Sequence, residues 1–241
     1  MLVVGFPAGP WGTNCYVLAR SAGEQCVIVD PGKDSASGID DIIRQHGLAP
    51  VAVILTHGHI DHVWSVVPVC GARGIPAYLH PSDRALLTDP GAGLSGESRR
   101  MLASMTGGTL EAAEPDDLRE LTDGLVLEIA GLDLVVDHAP GHTAGSVMFR
   151  TAGDGDVPPV LLSGDVLFEG SIGRTDLPGG DHASMLRSLR VKILPLGDET
   201  VVLPGHGNST TIGRERANNP YVTALLSRSV DAGPAAQTRG M

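Results

Sequence analysis

The chain has 241 residues, of which 17 are Lys or Arg and 28 are Asp or Glu, so its formal net charge is −11. Apolar residues make up 42% and charged residues 19%, a balance typical of globular rather than disordered proteins. The acidic excess argues against a nucleic-acid partner and against binding to an anionic membrane surface. No apolar run approaches the roughly 20 residues that span a bilayer.

Short apolar runs and helical patterns alternate in the first third of the chain. Runs rich in β-branched residues predict buried strands over 15–18, 26–29 and 51–55. Between the last two runs, Ile39, Ile42 and Ile43 recur at helical spacing, and Gly47 ends the pattern. Further helices are predicted over 62–72 and 95–105.

The second half repeats this order of elements. Runs over 125–129 and 132–136 flank Ala130-Gly131 and predict a β-hairpin. Strands are predicted over 145–151, 159–163 and 200–203, with a helix over 182–194 before the last one. Two similar halves predict an α/β fold with two sheets and helices outside them. We expect one domain over residues 1–228 and a disordered tail over 229–241.

The cysteines and the amino terminus bear on the cellular compartment. Cys15, Cys26 and Cys70 are odd in number and far apart, so they make a poor disulfide framework and are interpreted as small core residues. The first seven residues have no basic stretch before their short apolar run, unlike a signal peptide. We therefore expect a cytoplasmic protein without a membrane partner. The sequence leaves its oligomeric state open.

A histidine-rich segment directly after the strand at 51–55 is the strongest chemical signal. The segment Thr56-His57-Gly58-His59-Ile60-Asp61-His62 combines three imidazoles with a carboxylate. These ligand types suit Zn, Fe and Mn. One loop can present His57 and His59 to one metal and Asp61 and His62 to a neighbouring metal. The alternative is a solvated loop without a metal, but nothing would then hold the crowded imidazoles together.

Three later strands are each followed by a residue that can bind a metal. These residues are His142, Asp165 and His206, and each adjoins a glycine that lets the turn pass close to a metal. Singly, each is commonly a surface, core or turn residue. Four strand ends with the same layout are hard to attribute to chance. The predicted ligand set is His57, His59, Asp61, His62, His142, Asp165 and His206.

The order of these segments resembles the metallo-β-lactamase superfamily. THGHIDH, PGHTAGS, SGDVLF and PGHG match its motifs in order and spacing over about residues 10–225. The resemblance implies a four-layer αββα sandwich with a dinuclear site between its sheets. It implies that His57, His59 and His142 hold one metal, that Asp61, His62 and His206 hold a second, and that Asp165 bridges them. Two divalent ions are therefore expected, with Zn as the first choice and Fe or Mn as alternatives.

Residues at other positions indicate which branch of the superfamily the chain resembles. The best-known β-lactamases have Arg in place of His62 and Cys in place of Asp165, so the resemblance implies a hydrolase that does not act on antibiotics. The segments at 164–176 and 213–221 are similar to those of glyoxalase II-like hydrolases, in particular the short bacterial members. The basic C-terminal region with which longer members grip glutathione has no counterpart here. The identity of the thiol carrier therefore stays open.

These residues predict hydrolysis of a small-molecule thioester, such as S-lactoylglutathione or another S-2-hydroxyacyl thiol. Two metals roughly 3.5–4 Å apart can share a bridging hydroxide that attacks a carbonyl carbon. Asp61 would bind a metal and orient this hydroxide, which is its catalytic role. A thiolate leaving group needs little protonation because a free thiol has a pKa of about 8.5.

Several residues admit two interpretations. Arg174 and Tyr221 are candidate substrate contacts, although Arg174 could instead form a structural ion pair with Asp176. Asp30 could support a metal ligand or be a plain turn residue, and His138 is expected to be a core or supporting residue. Two alternatives compete with a hydrolase. One is a mono-iron persulfide dioxygenase-like oxidoreductase, and the other is a non-catalytic domain that binds a partner around a relic metal site.

Overall fold

The computed structural model describes residues 1–108, 112–155 and 157–231. The amino-terminal half contains a six-stranded sheet whose spatial order follows chain order. Its strands are β1 (Leu2–Ala8), β2 (Thr13–Ala19), β3 (Gln25–Val29), β4 (Ala49–Ile54), β5 (Ala77–Leu79) and β6 (Leu118–Glu120). The pairs β1–β2 and β2–β3 are antiparallel, whereas β3–β4, β4–β5 and β5–β6 are parallel.

A second six-stranded sheet is formed by the later part of the chain. Its strands are β7 (Val126–Ile129), β8 (Leu132–His138), β9 (Val147–Thr151), β10 (Val160–Gly164), β13 (Val201–Pro204) and β14 (Thr210–Thr211), in the spatial order β14-β13-β10-β9-β8-β7. Only the β10–β13 pair is parallel among the pairs of this described sheet. Between β10 and β13, a small hairpin joins β11 (Leu167–Phe168) to β12 (Ser171–Ile172).

Eight α-helices connect and cover the strands in the part of the chain that is described. They are α1 (Ala36–His46), α2 (Ile60–Val63), α3 (Val66–Arg73), α4 (Ala85–Thr88), α5 (Gly96–Thr106), α6 (His182–Ser188), α7 (Ile212–Asn218) and α8 (Pro220–Asp231). Helix α6 continues into a π-helical turn over Leu189–Ile193. No helix within the described ranges is long and apolar enough to cross a membrane.

Three apolar clusters separate the layers of the molecule. In β3, Val27 and Val29 pack in the cluster between the two sheets, whereas Ile28 packs in the cluster under α1 and α3. Both faces of this strand are buried because successive side chains of a strand point to opposite faces. A third cluster lies between the second sheet and α6 and α8, and contains Met148 and Met185. The order helix, sheet, sheet, helix confirms the predicted αββα sandwich.

Most predicted elements are present, and their ends differ from the predicted ones by at most two residues. The hairpin of β7 and β8 turns at Ala130 and Gly131, which both have positive φ angles, of 53° and 68°. Two successive positive φ angles are the signature of the turn that suits a two-residue hairpin. Strand β1 and the short strands β5, β6, β11, β12 and β14 were not predicted, nor were α4, α7 and α8. Helix α8 runs to Asp231, beyond the expected domain end at 228, and residues 232–241 of the expected tail lie outside the described residues.

The predicted helix over 62–72 is in fact two helices, α2 and α3, which break at Trp64 and Ser65. The backbone N–H of Ser65 donates to the carbonyl oxygen of Pro31 at 2.9 Å instead of to its own helix. The Ser65 hydroxyl donates to the carbonyl oxygen of Gly32 at 2.7 Å. The chain after β3 therefore takes the hydrogen bonds of Ser65 away from the helix. This break fixes α2, which carries Asp61 and His62, against the loop after β3.

Candidate metal centre

Four strand ends deliver the seven predicted ligands to one edge of the sandwich. The segment after β4 carries His57 and His59 and leads into α2 with Asp61 and His62, and His142, Asp165 and His206 follow β8, β10 and β13. In an α/β fold, residues at the carboxyl ends of strands are where ligands bind. The structure thus brings all seven side chains together, as the sequence predicted.

The side chains form three overlapping groups, and within each group one potential ligand atom per residue lies within 4.8 Å of the others. The first contains His57, His59 and His142; the second contains His57, His62 and Asp165; and the third contains Asp61, His62 and His206. The first and third groups match the two ligand sets that the family resemblance implies. They share no residue, so the cluster has room for two ions.

Individual distances show how close the potential ligand atoms are. His59 Nδ1 lies 2.9 Å from His142 Nε2, and His206 Nε2 lies 3.1 Å from Asp61 Oδ2. Asp165 lies between the two sets, with Oδ1 3.4 Å from His62 Nε2 and Oδ2 3.5 Å from His142 Nε2. Asp165 therefore lies between the two groups of potential ligands, where the family resemblance expects a bridging residue.

Hydrogen-bond partners orient three of the imidazole rings. The Nδ1 of His142 lies 2.8 Å from the carbonyl oxygen of Arg174, so it must donate, and its Nε2 is left with a lone pair. The Nδ1 of His62 likewise faces the Asp30 carboxylate at 2.9 Å. At His57, Nδ1 lies 3.1 Å from the Thr56 hydroxyl oxygen, whose own proton goes to Asp30 at 2.6 Å. All three rings thus turn Nε2 into the cluster, and this nitrogen can bind a metal once it carries no proton.

Asp30 lies beneath the cluster and is only 2% exposed. Besides His62 and the Thr56 hydroxyl, it accepts the backbone N–H of Thr56 at 2.8 Å. Of the two interpretations that the sequence left open for Asp30, the structure favours support of the ligands over a plain turn residue. Its positive φ of 48° shows that the backbone bends sharply to aim this side chain inward.

A second buried carboxylate, Asp83, was not anticipated from the sequence. It is 1% exposed and accepts the N–H of Gly58 at 2.9 Å, the N–H of Gly145 at 2.7 Å and the Thr143 hydroxyl at 2.6 Å. Asp83 therefore ties the loop of His57 and His59 to the loop of His142. The only sequence signal was an Asp two residues after a Pro in a short polar segment, which also describes an ordinary turn.

The loop of His206 is fixed from the first sheet. The backbone N–H of Asn14 donates to the carbonyl oxygen of Gly205 at 2.7 Å, and its side-chain amide donates to the carbonyl oxygens of Pro204 and Gly207. The Tyr16 hydroxyl also donates to the carbonyl oxygen of Pro204, at 2.8 Å. Strand β2 therefore positions a ligand that belongs to the second sheet.

Neighbouring groups shift the pKa values of the imidazoles in the cluster in different directions. Burial and the adjacent imidazoles lower the pKa of His57 well below its ordinary value and lower that of His59 to about 4. Burial also opposes charge on His62, but the carboxylates of Asp61, Asp165 and Asp30 outweigh it and raise the pKa of His62. Although burial alone would raise the pKa of Asp61 and Asp165, the neighbouring histidines lower it. The carboxylates are therefore ionised at neutral pH.

Three buried polar atoms of the cluster lack a hydrogen-bond partner: His57 Nε2, His59 Nε2 and Asp165 Oδ1. Leaving such atoms unpaired in a protein interior costs about 1–3 kcal/mol each. Two of them, His57 Nε2 and Asp165 Oδ1, face the centre of the cluster, where a cation would bind them. A Cβ atom on Gly205 would overlap Asp165 Oδ1 and lie 2.7 Å from His62 Cε1, so this space is kept free of side chains. The residues therefore fit divalent metal ions.

The other predicted site residues lie in different places. Arg174 lines the cavity above the cluster, and its side chain pairs with Asp176, with Nε and Nη2 each 2.8 Å from a carboxylate oxygen. Tyr221 instead lines a separate apolar cleft between α6 and α8, together with His182 and Leu186. The structure thus brings Arg174 to the cavity but does not bring Tyr221 there. His138 stacks on His80, with ring centroids 4.0 Å apart, away from the predicted ligand set.

Comparison with known proteins agrees with this geometry. The family model of the metallo-β-lactamase superfamily matches residues 8–206. The chain belongs to this superfamily. An uncharacterised protein of Mycobacterium leprae is 50% identical over 93% of this chain and 100% of its own length. The hydroxyacylglutathione hydrolase GloC of Haemophilus influenzae is 33% identical over 90% of this chain and 96% of its own length.

Two solved structures of the superfamily are similar over most of this chain. The BLEG-1 B3 metallo-β-lactamase is 43% identical and superposes with a TM-score of 0.79, covering 92% of this chain and 100% of its own. TTHA1623 in a di-iron-bound form is 36% identical with a TM-score of 0.71 and the same coverage.

Proposed function

We propose that this protein is a binuclear metallohydrolase that cleaves thioesters, with S-2-hydroxyacyl thiols such as S-lactoylglutathione as first candidates. The observation that carries the proposal is the second group of ligands, Asp61, His62 and His206, beside the complete first group. A relative that is named hydroxyacylglutathione hydrolase supports the choice of substrate. Two bound ions would supply an acidified water and a Lewis acid for the carbonyl oxygen.

The chain's own residues would orient the reactants. Asp61 is ionised and accepts a hydrogen bond from the Thr13 hydroxyl on Oδ2 at 3.2 Å, which fixes the plane of its carboxylate. A carboxylate in this position can accept a hydrogen bond from the attacking water and aim its lone pair at the substrate carbonyl. The carbon–sulfur bond then breaks and the thiolate leaves with the electron pair. A thiolate leaves without a general acid, because the pKa of a free thiol is only about 8.5.

The decisive variant is His206→Ala, which removes one residue of the second group and leaves the first intact. We expect the metal-loaded variant to lose roughly 100-fold or more of kcat/KM for S-lactoylglutathione, since even residues that only support ligands cost 10- to 100-fold. Release of thiol measures the reaction, and His46→Ala at the end of α1 is the matched control. Full activity of His206→Ala would contradict the proposal.

A persulfide dioxygenase that uses one iron is the second candidate, and a β-lactamase is the third because of the 43% identical relative of that name. Three assays on the same metal-loaded preparation separate them: thiol release from the thioester, oxygen uptake with a thiol persulfide, and hydrolysis of a chromogenic cephalosporin. We expect only the first to show efficient turnover. A higher kcat/KM in either of the others would replace the proposed reaction.

A further inference from the structure

A cavity of about 370 Å³ opens directly above the metal cluster, and its floor includes His59, Asp61, His142, Asp165 and His206. This volume is within the range of sites that bind small molecules. The carbonyl of a thioester substrate must therefore approach through this cavity. The side chains that form its walls decide which groups can lie on either side of the thioester sulfur.

Helix α5 forms one wall of the cavity with Ser98, Met101 and Leu102. These positions, at i, i+3 and i+4, share one face of the helix. Met101 is 57% exposed although it is apolar, so no other described part of the chain covers it. Methionine adapts its shape to an apolar partner because its side chain is unbranched and flexible.

Trp11 faces the same cavity from the turn between β1 and β2. Its ring lies 5.8 Å from the ring of Trp64, over which the Lys33 ammonium lies at 5.1 Å. Trp64 thus packs against the Trp11 ring, and Trp11 presents an apolar surface to the cavity. Leu94 and Leu177 complete the apolar lining.

The walls offer little that would bind a charged group. Among the described residues that line the cavity, Arg174 carries the only permanent positive charge. Both of its hydrogen bonds to Asp176 are 2.8 Å long, so its charge is already matched by a carboxylate. Glutathione brings two carboxylates, for which the described lining of the cavity offers no Lys and no Arg besides this already paired Arg174.

We propose that the site selects thioesters in which the group lying against Trp11 and Met101 is apolar and uncharged. This inference rests on the proposed thioester hydrolysis and names its substrate class. The apolar group can belong to the acyl part or to the thiol part, since both extend from the carbonyl above the metal cluster. The uncharged, apolar character is common to both cases.

Two series of thioesters, tested on the metal-loaded protein, distinguish these cases. In the first, the acyl group of an N-acetylcysteamine thioester is lengthened from acetyl to butyryl to hexanoyl. In the second, the acyl group stays lactoyl while an unbranched alkanethiol is lengthened from ethanethiol to butanethiol to hexanethiol. We expect kcat/KM to rise by about three- to fourfold for each buried methylene in at least one series. A flat or falling kcat/KM in both series would overturn the inference.

Lactoyl thioesters of glutathione and of N-acetylcysteamine compare a charged carrier with a neutral one at constant acyl group. We expect the neutral carrier to be at least as good a substrate. A glutathione thioester that is better by tenfold or more would overturn the inference and leave the proposed hydrolase in place. If no thioester of any kind is cleaved, the proposed function itself fails.

A binding measurement that involves no turnover tests the walls directly. Thioethers with hexyl and ethyl groups on N-acetylcysteamine have no thioester carbonyl to attack, and their binding can be followed by tryptophan fluorescence, with Trp11→Phe identifying the responding ring. We expect the hexyl compound to bind at least tenfold more tightly. Met101→Glu should remove this preference, whereas Met105→Glu, one turn further along α5 and outside the cavity lining, should keep it. Equal affinities in the parent protein, or an unchanged preference in Met101→Glu with unchanged metal content, would contradict the inference.

Discussion

At the scale of single residues, the carboxylates of Asp30 and Asp83 hold the ligand loops in place from beneath. Each accepts three hydrogen bonds from buried donors and none of these donors is exposed. The donors would otherwise be left unpaired, which is costly in a protein interior. The positions of the candidate metal ligands thus depend on two residues that do not themselves face the cavity.

The variant Asp83→Asn tests this dependence. An amide has one acceptor oxygen, and its NH₂ group would face an N–H or O–H donor, so the loops of His57 and His142 would lose a common anchor. We expect metal affinity to fall about 10- to 100-fold, measured by competition with a chromogenic chelator. Asp41→Asn, on the exposed face of α1, is the control. Wild-type affinity in Asp83→Asn would show that this anchor is not needed.

The variant Gly205→Ala tests whether the space beside Asp165 and His62 must stay free of side chains for the ions to bind. The added methyl group would overlap Asp165 Oδ1 and press on the His62 ring. We expect the purified variant to contain less than half of the parent metal content by elemental analysis. Gly207→Ala is the matched control in the same loop, because no atom lies within 4 Å of its added methyl group and only the strain of its positive φ, about 1–3 kcal/mol, is added. Equal metal content in the two variants would contradict the steric explanation.

At the scale of elements, the strands that carry ligands were predictable and the covering elements were less so. Strands β4, β10 and β13 are mainly apolar runs because a strand inside a sandwich is buried on both faces, whereas β8 keeps an apolar stretch around the exposed Asp133. Strand β1 was missed because Gly5 and Pro7 interrupt its pattern, and its alternation of buried and exposed residues is weak. The break between α2 and α3 depends on a bond from Ser65 to Pro31, which no local pattern contains.

The thiols of Cys15, Cys26 and Cys70 belong to the apolar cluster between the first sheet and its helices. Burial raises the pKa of Cys26 and of Cys70 to about 11. An unfolded thiol has a pKa of about 8.5, so this term favours folding below that pH and is lost as the pH rises towards 11. We expect the native protein to react slowly with a disulfide reagent at pH 8, and all three thiols to react after unfolding. Rapid reaction of the native thiols would contradict the buried placement.

At the scale of the whole molecule, metal binding and proton binding compete for one site built by both sheets. The raised pKa values of His62 and His206 mean that both rings tend to hold a proton near neutral pH when no metal is bound. A metal must displace these protons, so metal affinity should fall as the pH falls. We expect calorimetric titration with zinc at pH 7, in buffers of different ionisation enthalpy, to show at least one proton released per chain. Buffer-independent heats would contradict the charge states derived for the site.

The proposed binuclear hydrolase requires two ions bound per chain. The test is elemental analysis of protein prepared without an affinity metal, with the metal amount divided by the chain concentration. We predict close to two divalent ions per chain, because the groups of His57, His59 and His142 and of Asp61, His62 and His206 share no residue. A single iron per chain, unchanged after incubation with excess zinc or manganese, would contradict the binuclear hydrolase and favour the dioxygenase.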